Sequence, residues 1–235
     1  MAKRKHQKKL LSYEEVIKDL KVPQTRRSVS LRGGTKQNIE HSLILRPKPI
    51  AIGVPMDEIM FSSFFKYWNV NLNIMPWDTI ITTDGTYLPE ARNFIHNSFL
   101  DDGMLSDLFM IDSDVITPPN IIETLLGHKK GIVGGWYRNK KENNHPVVYD
   151  FENEIDGVAI FSHKKASGTG LEKVDAMGAG CWLISREVAE KVGRSPYDMN
   201  SGGEDMKFSR KLMKLGIPMY VDWSLNCAHL GVFHV

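Results

Sequence analysis

From Pro49 onward, short apolar runs alternate with segments of helical spacing, and this alternation confines the chain to a small set of layered folds. Ile50-Ala51-Ile52-Gly53-Val54 reads as a buried strand closed by Pro55, and residues 58–68 read as a helix. Thr79-Ile80-Ile81-Thr82 is the next strand and residues 88–100 the next helix. Phe109-Met110-Ile111 forms a strand that ends in Asp112. A helix over 118–126 follows, with Pro118 in its first turn and Thr117 as its cap, and Gly131-Ile132-Val133-Gly134-Gly135 is a further buried strand. The pattern predicts an α/β fold with a mostly parallel central sheet flanked by helices. Val147-Val148-Tyr149 and Gly157-Val158-Ala159-Ile160-Phe161, separated by polar turns, depart from the rule and predict a small antiparallel insertion. After it the pattern predicts a strand at 180–184, helices at 186–192 and 204–215, and a strand at 218–221.

At 235 residues the chain can bury one good core, so one domain with an appendage is expected. Residues 1–42 read as a basic arm, with Lys3-Arg4-Lys5, Lys8-Lys9 and Arg26-Arg27, few acids and one short helix near 10–20. Residues 43–235 read as the compact domain. Such an arm suits solubility, self-assembly into a homo-oligomer, or contact with an anionic partner. No run approaches the roughly 20 apolar residues of a membrane span, and no apolar segment follows the basic N-terminus, so a cytoplasmic location is expected. Cys181 and Cys227 have neither the number nor the spacing of a disulfide framework or a zinc site.

Three groups of residues carry chemistry. Asp112 and Asp114 lie one residue apart where a strand gives way to a loop, the edge at which open α/β sheets bind ligands. No Lys or Arg adjoins them in sequence, so a divalent cation is the expected partner; capping of the following helix is the bland account. Gly203-Glu204-Asp205 opens an amphipathic helix. Acids there suit the helix dipole, and a carboxylate preceded by glycine is also placed to take a proton from a hydroxyl. His229, beyond the last strand, supplies an imidazole that would complete a manganese-like set with the two aspartates.

The ordered set of Pro55, Ala91-Arg92-Asn93, Asp112-Ser113-Asp114, Met177-Gly178-Ala179-Gly180-Cys181-Trp182, Gly203-Glu204-Asp205 and His229 resembles GT-A glycosyltransferases, closest to family 2 and to the small phage- and virus-encoded type. The resemblance spans about 49–231. It implies a nucleotide-diphospho-sugar transferase fold in 43–235 and transfer of a sugar to an acceptor hydroxyl with inversion. It further implies Mn²⁺ or Mg²⁺ held by Asp112, Asp114 and His229 on a UDP-sugar or GDP-sugar, and Asp205 as general base with Glu204 beside it. Pro55, Asp57, Asp84, Arg92, Asn93, Asp112, Ser113, Gly178 and Gly180 are the positions it implies for the sugar nucleotide. Arg92 equally suits a surface arginine, Gly178 and Gly180 a tight strand turn, and Trp136 and Tyr137 either the core or a pocket wall. The acceptor stays open between glycan, protein and modified nucleic acid. Two rivals remain: a non-catalytic scaffold of the same fold acting through its arm, and a nucleotidyltransferase that makes sugar nucleotides. The second lacks the basic phosphate loop expected after the first strand.

Overall fold

The computed structural model describes residues 46–56, 64, 67–68, 71–140, 145–165, 168–198 and 203–230. The basic arm, Asp57 and most of the expected 58–68 helix lie outside the described residues; Phe64, Tyr67, Trp68 and Asn71 are helical.

The central sheet has seven strands. They are β1 (Ala51–Pro55), β2 (Thr79–Thr83), β3 (Asp107–Ile111), β5 (Ile132–Trp136), β8 (Leu171–Val174), β10 (Cys181–Ser185) and β11 (Met219–Asn226), in the spatial order β2-β1-β3-β10-β5-β11-β8. By their pairings β1, β2, β3, β5 and β11 run one way, while β10 and β8 run against them. The mostly parallel sheet is thus present. The strand expected at 180–184 enters it reversed, between β3 and β5, because the chain reaches it from the insertion rather than from a crossover helix. A three-stranded antiparallel sheet of β6 (Val148–Ile155), β7 (Val158–His163) and β9 (Ala176–Met177) forms that insertion. A two-stranded ladder pairs β4 (Val115–Ile116) with β12 (Ala228–His229).

Alternation along β3 builds two cores. Leu108 and Met110 join Ile95 and Phe99 of helix α1 (Leu88–Asp101), together with α3 (Arg186–Val192) and α4 (Glu204–Lys214). Phe109 and Ile111 join Ile121, Ile122 and Leu125 of helix α2 (Ile121–Gly127) on the other face. Helix α2 starts later than expected. Asn120, at φ 57°, precedes it, and Thr117 is buried with its carbonyl accepting a hydrogen bond from Asn71, so Thr117 is no cap. Among the described residues no helix is long and apolar enough to cross a membrane.

Candidate functional site

Helix α1 buries Pro89, Arg92, Ile95, His96 and Phe99, so its one arginine on that face is carried under the sheet rather than into solvent. Arg92 is 2 % exposed and joins residues that lie far apart in sequence. Its Nε donates to Glu204 Oε1 at 3.2 Å, at the start of α4. Its Nη2 donates to Asp112 Oδ2 at 3.1 Å and lies 2.8 Å from Oδ1, and its Nη1 donates to the Ala179 carbonyl at 3.2 Å. Burial opposes the guanidinium charge, but the carboxylates of Asp112 and Glu204 outweigh it and hold the proton more firmly than usual. Two sequence expectations change here. Arg92 is not a surface residue, and its Nε, Nη1 and Nη2 all donate within the protein. The aspartate pair also has basic partners, brought by the fold from α1 and from the loop after β5.

Asp112 directly follows β3, and its backbone N–H donates to the Gly180 carbonyl at 3.1 Å. Burial pushes its carboxyl up, against the pull of Arg92. Asp114 has different company. Lys140 donates to its Oδ2, and His229 Nε2 lies 3.5 Å from its Oδ1. Burial alone would raise Asp114, yet the bonds from His229 and Lys140 outweigh it and hold the carboxyl below its usual range. The ladder between β4 and β12 makes this meeting possible by setting His229 opposite Val115, one residue from Asp114.

Among the described residues no three His, Cys, Asp or Glu side chains are gathered closely enough to hold an ion as they stand. The donor chemistry nonetheless fits a divalent ion in two respects. Asp112 Oδ1 is buried and receives no aligned hydrogen bond. His229 Nδ1 lies 2.8 Å from the Arg138 carbonyl, which can only accept, so Nδ1 donates there and Nε2, on the side of Asp114, is the nitrogen that would serve as a ligand. Lys140 is the group an ion would displace.

Asp205, in the first turn of α4, is half-buried and accepts a hydrogen bond from the Met206 N–H at 2.8 Å. Burial first, and then the neighbouring Glu204 charge, push its carboxyl up to about 7. Asp112 and Arg92 also act on it, so the α4 acids and the β3 carboxylate share one electrostatic field. Gly203 has φ 102°, the left-handed region that favours glycine, and delivers the chain into this turn. Glu204 pairs with Arg92, one residue before Asp205.

The two glycines of the β9–β10 connection make room for protein atoms. A Cβ at Gly178 would stand 2.3 Å from the Tyr137 hydroxyl, and one at Gly180 would stand 2.7 Å from both that hydroxyl and Asp112 Oδ2. The Gly180 N–H donates to the Tyr137 hydroxyl at 2.9 Å, and the Tyr137 ring meets His229 edge-on at 4.9 Å. Gly180→Ala is therefore expected to lower stability by about 1–3 kcal/mol through overpacking, measured as a lower urea midpoint with an unchanged slope.

Asn93 exchanges hydrogen bonds with the Tyr197 backbone at 2.8 and 2.9 Å. Asp84 is exposed on the loop after β2, its carbonyl accepting from Thr86 Oγ1 at 3.1 Å. Pro55 closes β1 and Ser113 is buried between the aspartates. Trp136 and Trp182 belong to the core. Lys140 was not anticipated, and no sequence period marks it. Arg92 carries a sequence signal of its own: it is a charge inside an apolar helical stripe, which demands buried acids.

Two solved structures share this fold. A197 from STIV superposes with a TM-score of 0.57 at 17 % identity, over 79 % of this chain and 86 % of that one. GalNAc-T7, solved with UDP, GalNAc and Mn²⁺, superposes with a TM-score of 0.51 at 11 % identity. That match covers 80 % of this chain and 44 % of the other, so the present chain corresponds to less than half of GalNAc-T7. No protein-family model matches the sequence, and no curated protein does. The fold is GT-A-like.

Proposed function

We propose that this chain is a glycosyltransferase that moves a sugar from a nucleoside-diphosphate donor, a UDP-sugar in first place and a GDP-sugar in second, to an acceptor hydroxyl with inversion. One observation carries the reading: in a GT-A-like fold, Arg92 joins the carboxylate that follows β3 to Glu204 at the start of α4, next to Asp205, whose carboxyl burial and the Glu204 charge push up to about 7. In that reading the acceptor hydroxyl attacks the anomeric carbon, the bond from that carbon to the phosphate oxygen breaks, and the hydroxyl proton passes to Asp205. Asp112, Asp114 and His229 would hold Mn²⁺ or Mg²⁺, which when bound neutralises charge on the departing diphosphate. Arg92 acts beneath them as a positioning residue, fixing Asp112 and Glu204 through one guanidinium. The Arg138 carbonyl orients His229, and Tyr137 braces both His229 and the Gly180 backbone. The fold shared with GalNAc-T7 supports the class of donor, and the ordered sequence motifs support the family 2 type.

The test is a thermal-shift panel of sugar nucleotides with Mn²⁺. One donor should raise the wild-type Tm, by about 2.7 kcal/mol of stabilisation at a hundredfold excess over Kd, and Asp114→Ala should lose that rise while remaining folded. Absence of a shift with every nucleotide would overturn the donor reading.

A further inference from the structure

Helix α4 carries Lys207, Arg210, Lys211 and Lys214 at i, i+3, i+4 and i+7, a single face opposite the buried Phe208 and Leu212. This face forms one wall of a cleft of about 410 Å³, within the usual range of small-molecule sites. Gly157, Ala159 and Phe161 of the β6–β7 hairpin form the second wall, and Ser195, Pro196 and Asp198 the third. Four cations meet two carboxylates there: Lys207 pairs with Asp198 at 3.1 Å, and Arg210 and Lys214 share Glu154. The difference is a surplus of two positive charges in a concavity, where low-dielectric walls concentrate the field.

Two details mark the cleft as more than a solvated face. Lys211 is half-buried and has no carboxylate partner among the described residues. Arg210 lies 5.2 Å over the Phe151 ring and pairs with Glu154, yet its Nε is buried without a hydrogen-bond partner. Stacking on Phe151 and pairing with Glu154 hold the guanidinium in place on the cleft wall, which lowers the cost of ordering it around an anion.

We infer that this cleft binds a small molecule carrying two or more phosphate groups, at a site separate from the Asp112–Asp114–His229 edge. The surplus charge calls for a multiply anionic ligand, and a fork-shaped guanidinium beside compact ammonium groups suits phosphate oxygens. Phe161 and Met206 supply an apolar floor for whatever bears the phosphates.

The experiment is titration of ¹⁵N-labelled protein with inorganic pyrophosphate in the presence of EDTA, so that no divalent ion draws the probe to the aspartates. Amide shifts are expected at Gly157, Ala159, Ser195, Lys207 and Lys211, with an affinity that falls steeply with added salt. Reversing two charges with Lys211→Glu and Lys214→Glu changes the balance from +2 to −2 and should weaken binding by at least about tenfold, or about 1.4 kcal/mol. Lys211→Gln, which disturbs the helix less, should weaken it severalfold. Shifts confined to the neighbourhood of Asp112 and His229, or an affinity unchanged in these variants, would overturn the inference. Neither result bears on sugar transfer, which the nucleotide panel tests separately.

Discussion

Asp205→Asn is expected to lower sugar transfer by about 10²–10⁴-fold while leaving nucleotide-dependent stabilisation in place, because a general base acts in the chemical step rather than in donor binding. Transfer to water provides an assay that needs no acceptor: release of nucleoside diphosphate is followed, and wild type and variant are compared. The pH dependence has a definite sign. The base works deprotonated, and burial with the Glu204 charge pushes its carboxyl up to about 7, so kcat/KM should climb as pH rises through that value. In Asp205→Asn the limb should vanish along with the activity.

Stability should move the other way. A carboxyl raised on folding keeps its proton in the folded state between the ordinary aspartate range and about 7, while the unfolded chain has already lost it. That proton favours the folded state at low pH, and the benefit is lost as pH rises toward 7. Asp205→Asn should therefore have a higher Tm than wild type at pH 8, with the gap closing at pH 4. A variant that is inactive and less stable at every pH would assign Asp205 to the helix terminus alone.

Elements that bury one complete stripe or run were legible in the sequence. Helix α3 has the expected bounds, and α4 differs by one residue at its end, since Phe208 and Leu212 repeat at helical spacing and Gly203 marks the start. Strand β11 was read too short. It continues to Asn226 because Trp223 and Leu225 alternate with Ser224 and Asn226, a half-buried period that a search for continuous apolar runs does not register. The reversal of β10 was hidden for another reason, because strand direction depends on where the preceding segment ends in space. For the site, the sequence separated the acidic groups correctly into a β3 pair and an α4 pair, but it concealed their connection. Arg92 touches both through hydrogen bonds spanning 20 and 112 residues, and such long-range pairing leaves only the indirect trace of a charge on an apolar face.

That connection makes Arg92→Met the substitution with the largest expected cost in stability, about 3–5 kcal/mol, because it strands Asp112 and Glu204 as buried carboxylates without their cation. In a domain of this size the loss corresponds to a fall in Tm of roughly 6–20 °C. Burial already pushes Asp112 up, and removing Arg92 takes away the main force that opposes the rise. The penalty should therefore be full at pH 8 and shrink toward pH 5 as Asp112 takes up a proton. Methionine retains the apolar stem, so packing against Met110 and the α1 face is largely kept and the measured loss reports charge. Two further variants separate the causes. Arg92→Lys, with one compact ammonium, cannot reach both acids as the guanidinium does and should recover only part of the loss. Arg92→Met combined with Glu204→Gln removes one stranded charge and should be more stable than Arg92→Met alone, a coupling that urea unfolding at the two pH values would resolve. If the loss proved equal at pH 5 and pH 8 and Glu204→Gln gave no recovery, Arg92 would be a packing residue, and the two acidic groups would have to be held in register by the backbone alone.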